Sequence, residues 1–213
     1  MRIGVLGTGV VGQTIATRLV GLGHKVRMGS RAAGNEKAVA WAQGAGERAG
    51  EGSFADAAEF GELVFNCTAG TASLDALRAA GEEELRGKVL VDVANPLDFS
   101  KGMPPTLSVV NDDSLGEQIQ SEFPETRVVK ALNTVNAAVM VNPVAGSSIF
   151  VCGEDAAAKE QVAGLLQDFG WRAEAIVDLG GIDAARATEM YLPLWLRLMG
   201  ALGTPNFNIA IVR

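Results

Sequence analysis

Short apolar runs alternate with amphipathic segments along most of this chain. The runs are apolar at nearly every position, which is typical of strands covered on both faces of a sheet. The segments between them space apolar residues three and four apart, as a helix with one buried face requires. This alternation predicts an α/β fold with a doubly wound, mostly parallel sheet.

The apolar residues also set the bounds of the predicted elements. Strands are expected at 1–6, 24–29, 63–68, 88–93, 128–132, 149–152 and 173–177. Helices are expected after the first strand and at 54–60, 74–80 and 156–169, and a long apolar helix is expected from about Asp183. A capping box, Ser114 to Glu117, predicts the start of a further helix. The Ala- and Gly-rich stretch 42–52 predicts a loop.

A glycine-rich turn joins the first predicted strand to the first helix. It reads Gly7-Thr8-Gly9-Val10-Val11-Gly12, a G-x-G-x-x-G motif. In such a turn the first glycine permits the tight bend, the second lets the backbone approach a pyrophosphate, and the third lets the helix pack closely on the strand. Because a strand precedes the motif and a helix follows it, the motif predicts a Rossmann-type dinucleotide site at the helix N-terminus.

The residues after the second strand indicate which dinucleotide binds. NAD sites usually place Asp or Glu about 20 residues after the glycines, whereas this chain has Ser30 and Arg31 there and no carboxylate before Glu36. Arginine forms charge-assisted, bidentate contacts with phosphate. The sequence therefore predicts a site for the 2′-phosphate of NADP, with Lys37 as a third contact. The alternative is a solvated polar rim.

Composition narrows the range of partners and compartments. The formal net charge of −7 disfavours nucleic acid and anionic membranes, so small-molecule cofactors are the expected partners. The apolar run 190–202 is interrupted by Pro193 and Arg197 and is too short to span a bilayer. The chain enters its first strand almost directly, with no leader segment, and Cys67 and Cys152 lie in apolar strands as reduced thiols. We therefore expect a cytoplasmic protein.

Small, amide and hydroxyl residues follow the carboxyl ends of three predicted strands, 63–68, 88–93 and 128–132. Ligands of such sheets bind beyond the carboxyl ends of the strands, and the expected lining is Thr68, Ala69, Asn95, Pro96, Asn133, Thr134, Asn136 and Ala137. These positions hold no His, Lys or Tyr to move a hydroxyl proton, and the sequence has no metal-ligand cluster or nucleophile elbow. The pattern favours hydride transfer between two rings, positioned by Asn133, Thr134 and Ala137, with no acid–base residue and no metal.

Three other ionisable residues lie outside these strand ends. His24, the only histidine, falls in a turn at the far edge of the sheet, and we expect it to be structural. Lys101 lies in a loop and Lys130 within a strand, and both are weak candidates for an acid or base.

The end of the chain is expected to close the site. The segment 190–199 is apolar nearly all round, which is typical of a helix buried in a core or a dimer interface, and Pro193 predicts a kink or restart. Asn206 and Phe207 are placed to cover a flat ring, and 209–212 has the pattern of a strand. We expect one Rossmann-type domain over 1–213, with a dinucleotide-binding core at 1–140 and a C-terminal helical extension at 141–213. A homodimer with the apolar helix in or beside its interface is also expected.

The chain resembles the NADPH-dependent reductases of the deazaflavin coenzyme F-420. The matching residues are the turn 7–12, Gly29-Ser30-Arg31, Lys37, 130–137, 151–155 and the closing helix and tail. The middle segments, especially near Asn133-Thr134, also resemble the cytosolic reductase domain of STEAP metalloreductases. The resemblance spans essentially the whole chain. It implies that Thr8 to Val11 bind the pyrophosphate, that Ser30, Arg31 and Lys37 hold the 2′-phosphate, and that the Ala137 backbone meets the nicotinamide carboxamide.

The chain departs from archaeal members of that family at the acceptor end. They tend to carry a His-Thr pair and a proline where this chain has Asn133-Thr134 and Asn136, and a bulkier, aromatic loop after the position of Thr68. We expect an oxidoreductase that transfers hydride between NADPH and a flat two-electron acceptor, with F-420 favoured. An NADPH-dependent flavin or ferric-complex reductase and a non-catalytic NADP-binding module are the alternatives.

Overall fold

The chain folds around an eight-stranded sheet with helices on both faces. In the computed structural model, which describes residues 1–212, the strands are β1 (Arg2–Leu6), β2 (Lys25–Ser30), β3 (Ala49–Ser53), β4 (Leu63–Asn66), β5 (Val89–Asp92), β6 (Leu97–Asp98), β7 (Thr106–Leu107), β8 (Arg127–Ala131), β9 (Ile149–Cys152) and β10 (Ile176–Asp178). The helices are α1 (Val10–Gly21), α2 (Glu36–Ala45), α3 (Phe54–Phe60), α4 (Ser73–Ala80), α5 (Glu82–Leu85), α6 (Leu115–Glu122), α7 (Ala137–Val141), α8 (Ala156–Phe169), α9 (Ala185–Met190) and α10 (Leu192–Leu202).

The order of the strands places a crevice at the middle of the sheet. The order is β10-β9-β8-β5-β4-β1-β2-β3, and neighbouring strands are parallel except for the antiparallel pair β8 and β9. The chain runs outward from β1 in one direction and from β4 in the other, so the topological switch point lies between them. Strands β6 and β7 form a separate antiparallel ribbon. The prediction of a doubly wound, mostly parallel sheet is confirmed.

Each face of the sheet has its own apolar core. Ile3 and Val5 pack on one face with Ile15 and Leu19 of α1, while Leu6 lies in the core on the other face. Because successive strand residues point to opposite faces, a strand covered on both sides must be apolar at every position. The continuous apolar runs of the sequence have this origin.

Two predicted element bounds were wrong. The stretch 42–52 is not a loop, because α2 continues to Ala45 and β3 begins at Ala49. Strand β3 lies at the sheet edge and pairs with β2 through its backbone, so its small residues leave no apolar pattern. The strand expected at 173–177 starts later, since Ala173–Ala175 forms a 3-10 turn before β10.

The C-terminal helices restart at Pro193, as predicted. Helix α9 ends at Met190, and α10 begins with the proline in its first turn, where the missing N–H needs no partner. Within the chain α10 is not a core helix, because Leu194 is 55% and Leu202 56% exposed. The core alternative for this helix was therefore wrong, and the interface alternative stays a prediction. The strand expected at 209–212 does not form. None of the helices in residues 1–212 is long and apolar enough to cross a membrane.

Candidate functional site

The glycine turn between β1 and α1 is built for a close backbone approach. Gly7 has φ +118°, and a Cβ there would lie 2.6 Å from the carbonyl oxygen of Cys67. A Cβ at Gly12 would clash with the carbonyl oxygen of Gly7, whereas a Cβ at Gly9 would meet nothing within 4 Å. Gly7 and Gly12 are therefore required by the protein's own packing, and Gly9 is not. The open space at Gly9 faces solvent, where a ligand can approach the backbone.

The N-terminus of α1 leaves its first N–H groups free of side-chain caps. Its N-cap is Gly9, which has no side chain to accept from them. Uncapped N–H groups and the positive end of the helix dipole together favour an anion. This geometry fits the pyrophosphate of a dinucleotide.

A cleft of about 870 Å³, here called the glycine-turn cleft, runs from this turn to the end of β2. Its lining includes Gly7, Thr8, Gly9, Ser30, Arg31, Phe54, Cys67, Thr68 and Ala69. The Ser30 hydroxyl donates to the Ala32 carbonyl at 2.6 Å and so shapes the turn that carries Arg31. Arg31 is exposed. Lys37, also exposed, lies in the first turn of α2 beyond the lining residues.

A second cleft of about 410 Å³, the strand-end cleft, lies beyond the carboxyl ends of β4, β5 and β8. It brings together seven of the predicted residues, namely Thr68, Ala69, Asn95, Asn133, Thr134, Asn136 and Ala137. Pro96 is buried beside it and does not line it. Val11, predicted at the pyrophosphate, also lines it. Sequence reasoning did not place the apolar residues Phe99, Leu192 and Trp195 here. Cys67, Thr68 and Ala69 line both clefts, so the two adjoin there.

A reciprocal pair of amide hydrogen bonds fixes two walls of the strand-end cleft. Asn95 Nδ2 donates to the Asn133 carbonyl at 2.8 Å, and Asn133 Nδ2 donates to Asn95 Oδ1 at 3.0 Å. Asn133 and Thr134 are buried. The pair holds the loops after β5 and β8 in register without placing a charge in the cleft.

The C-terminal tail braces the far side of this cleft. Asn136 caps α7 by accepting from Val139 N, and its Nδ2 donates to Asn206 Oδ1 at 2.9 Å. Phe207 stacks on Trp195 with ring centroids 5.4 Å apart. Asn206 and Phe207 therefore support the wall formed by Asn136 and Trp195.

The most unexpected feature is a buried ion triad of Asp92, Lys130 and Glu189, called the Lys130 triad below. The ammonium donates to Asp92 Oδ2 at 2.7 Å and to the Ala94 carbonyl at 2.6 Å, and Glu189 Oε1 lies 2.6 Å away. All three ammonium hydrogens thus have acceptors. Burial lowers the pKa of Lys130, but the carboxylates outweigh it and hold the pKa above its ordinary value. A lysine in an apolar strand was the signal for this cluster, because buried charges need partners.

The remaining ionisable candidates are His24 and Lys101, which line neither cleft, and the two cysteine thiols. The N-terminal amine lies 3.3 Å from His24 Nδ1. Burial lowers the pKa of His24. Lys101 is exposed in the loop after β6. Cys67 and Cys152 are buried free thiols, and burial raises the pKa of both, that of Cys152 to about 12.

Comparisons with known proteins agree with this geometry. The family model described as NADP oxidoreductase, coenzyme F420-dependent, matches residues 2–96. The F420-dependent NADP reductase of Methanocaldococcus jannaschii is 34% identical over 213 residues, which cover 93% of this chain and 92% of that protein. Rat metalloreductase STEAP3 is 30% identical over 91% of this chain, which covers only 38% of its length.

The solved structures include a near full-length match. A candidate F420-dependent NADP reductase from Arthrobacter sp. FB24 has a TM-score of 0.94 and 53% sequence identity, with complete coverage of both chains. The resemblance found in the sequence is therefore confirmed over the whole fold. The chain belongs to the family of F-420-dependent NADP oxidoreductases.

Proposed function

We propose that this enzyme transfers hydride between NADPH and coenzyme F-420. The observation that carries the proposal is that the two clefts adjoin at Cys67, Thr68 and Ala69, which line both. One cleft has the geometry for a dinucleotide, and the other offers a narrow space walled by small, amide and apolar residues. Bound NADPH would supply a hydride from its nicotinamide to the ring of the acceptor. The chain's own residues hold the two rings together and exclude water.

Each of three polar groups of NADPH is assigned to residues of the glycine-turn cleft or of α7. The N–H groups at the start of α1 bind the pyrophosphate, and the turn 8–11 surrounds it. Arg31 pairs with the 2′-phosphate, supported by Ser30 and Lys37. The Ala137 backbone, at the start of α7, orients the nicotinamide carboxamide beside Thr134.

The acceptor ring lies in the strand-end cleft against Asn133 and Asn136, with Asn95 behind them. Trp195 and Leu192 supply an apolar wall, and Asn206 and Phe207 close the site behind that wall. A flat ring fits a cleft of this lining, since amides hydrogen-bond its edge and apolar groups cover its faces. No ionisable side chain is needed for the hydride step.

A steady-state assay tests this assignment. NADPH is mixed with the protein and, in separate reactions, with F-420, FMN or ferric citrate, and NADPH oxidation is followed. F-420 is expected to give the highest kcat/KM. The similarity to STEAP3 favours a flavin or ferric-complex reductase as the second candidate, and a higher kcat/KM for FMN or ferric citrate would select it. Tight NADPH binding without turnover on any acceptor would contradict both.

The assembly and location of the enzyme are further parts of the proposal. The chain acts as one domain, in which 141–213 closes the site of the core 1–140. The exposed apolar residues Leu194 and Leu202 on α10 form part of a homodimer interface with a second copy. Light scattering at micromolar concentration is expected to give the mass of two chains, and a monomer mass would contradict it. The free thiols Cys67 and Cys152 suit a reducing compartment such as the cytoplasm.

A further inference from the structure

The Lys130 triad lies directly beneath the walls of the strand-end cleft. Lys130 and Asp92 occupy the ends of β8 and β5, and Glu189 reaches them from α9. Their side chains are at most 1% exposed. A buried triad of this kind is weak evidence for stability, because apolar residues of similar volume often stabilise a fold as well or better. Its value must be sought in what its hydrogen bonds hold in place.

One branch of the triad reaches the junction of the two clefts. Asp92 Oδ1 accepts from Asn66 Nδ2 at 2.8 Å, and Asn66 Oδ1 accepts from the Thr68 hydroxyl at 2.7 Å and from Thr68 N at 3.3 Å. Thr68 lines both the glycine-turn cleft and the strand-end cleft. Asp92 thus sets the position of the wall that both rings share.

A second branch reaches the amide pair. The Ala94 carbonyl accepts from the Lys130 ammonium, and Ala94 N donates to Asp92 Oδ1 at 3.2 Å. The triad therefore binds both the backbone carbonyl and the backbone N–H of Ala94. The next residue is Asn95, whose amide fixes Asn133.

The third branch reaches the C-terminal wall. Glu189 accepts from Leu115 N at 2.9 Å and from Gly116 N at 3.1 Å, which joins α9 to the N-terminus of α6. Helix α10 follows α9 immediately and carries Leu192 and Trp195 into the cleft lining. Glu189 thus positions the apolar wall and Asp92 the opposite one.

We propose that Lys130 is a positioning residue for hydride transfer, which sets the spacing between the nicotinamide wall and the acceptor wall. The ammonium touches neither ring and acts only through Asp92, Ala94 and Glu189. The proposal rests on the proposed function, since it assumes two rings in one cleft. The proposal further assigns Asp92 and Glu189 different effects on the KM values. A cluster that only stabilised the fold would show no such difference.

Two isosteric variants separate these roles. Asp92→Asn and Glu189→Gln each leave Lys130 one carboxylate. The first alters the branches through Asn66 and Ala94, and the second alters only the branch to α6 and α10. Asp92→Asn is expected to raise the KM for both NADPH and the acceptor, because its branches reach Thr68 and the Asn95–Asn133 pair. Glu189→Gln is expected to raise the acceptor KM and to leave the KM for NADPH unchanged. Both lower kcat, on the order of ten- to a hundredfold, because small displacements of reacting groups have large effects on rate. The matched control is Arg186→Gln, which breaks the neighbouring α6–α9 ion pair with Glu117 and is expected to change neither KM.

Lys130→Met is expected to unfold the protein, because it leaves two buried carboxylates facing each other. The triple variant Lys130→Met, Asp92→Asn, Glu189→Gln removes all three charges and is expected to fold but to transfer hydride slowly. Unchanged kinetics in a folded triple variant, or a KM for NADPH raised as much by Glu189→Gln as by Asp92→Asn, would overturn the proposal. If the unaltered protein reduces no acceptor, the proposed function fails. Titration with NADP⁺ then decides, since weakening by Asp92→Asn but not by Glu189→Gln still supports the triad's role, and equal weakening overturns it.

Discussion

The glycine-turn cleft and the strand-end cleft, the nucleotide end and the acceptor end of the proposed site, are built in different ways. The nucleotide end comes from two short local segments, the turn 7–12 and the residues Ser30 and Arg31. The acceptor end is assembled from the loops after β4, β5 and β8 and from α10, with the tail behind it. Backbone N–H groups and a single guanidinium define the first, whereas packed side chains define the second. Binding at the nucleotide end should therefore change with single residues that contact the ligand. The acceptor end should also respond to substitutions of residues that contact no ligand.

The sharpest test of the nucleotide end compares three glycines of one turn and helix. Gly12→Ala is expected to destabilise the fold on the order of 3 kcal/mol, because its Cβ meets the backbone carbonyl of Gly7. Gly9→Ala, with no neighbour within 4 Å, is expected to keep the melting temperature of the free protein and to weaken NADPH binding. Gly21→Ala, equally unhindered, is the control and should change neither. Equal NADPH affinity of the Gly9 variant and the unaltered protein would refute the assignment of the pyrophosphate.

A bulky residue at the meeting point of the two ends should block turnover. Ala137→Phe is expected to abolish hydride transfer, because its side chain fills the space of the nicotinamide, while the adenosine half still binds. The exposed neighbour Ala138 gives the control, Ala138→Phe, which should keep its activity. Turnover assays and binding of 2′,5′-ADP measure the two effects. Normal turnover of the Ala137 variant would show that the nicotinamide lies elsewhere.

Cofactor choice should depend most strongly on Arg31, the cation proposed to pair directly with the 2′-phosphate. Arg31→Ala is expected to weaken NADPH by about 1.5–3 kcal/mol, the value of a charge-assisted contact, and to leave NADH unchanged. The exposed Lys25, at the opposite end of β2, provides the control as Lys25→Ala. Calorimetric titration with both nucleotides gives the difference. If the unaltered protein binds NADH as tightly as NADPH, the Ser30–Arg31 argument fails.

The smallest effect is expected for the ionisable residues outside the clefts. His24→Gln and Lys101→Ala should leave turnover within a few-fold, since the hydride step needs no proton carrier from either side chain. Steady-state kinetics across neutral pH checks this. A loss of about a hundredfold or more would reveal acid–base catalysis at that residue.

The same contrast explains what could be predicted from the sequence. The turn 7–12 encodes its conformation locally, because only glycine fits where Gly7 and Gly12 sit. The residues at the strand ends were predicted from topology, which brings the ends of parallel strands together. Trp195 and Leu192 were not placed there, because nothing in the sequence fixes where α10 lies relative to the strand ends. Strand β3 was missed because its backbone pairing needs no apolar side chain.

The Lys130 triad marks the limit of this reasoning. A lysine within the apolar strand β8 indicates a buried partner, but sequence alone does not say which carboxylate supplies it. Glu189 lies far along the chain and meets Lys130 only when α9 docks on α6. Polar contacts of that range depend on the whole fold and leave no local pattern.

Direct transfer of hydride between the two clefts is the central claim, and isotope transfer tests it most directly. NADPH carrying deuterium at either face of nicotinamide C4 is mixed with the protein and F-420, and the reduced deazaflavin is analysed by mass spectrometry. One of the two labelled forms is expected to pass its deuterium to the product, because the proposed site holds the two rings against each other and excludes water. A reduced product without deuterium from either form, or no reduction of F-420, would contradict the account.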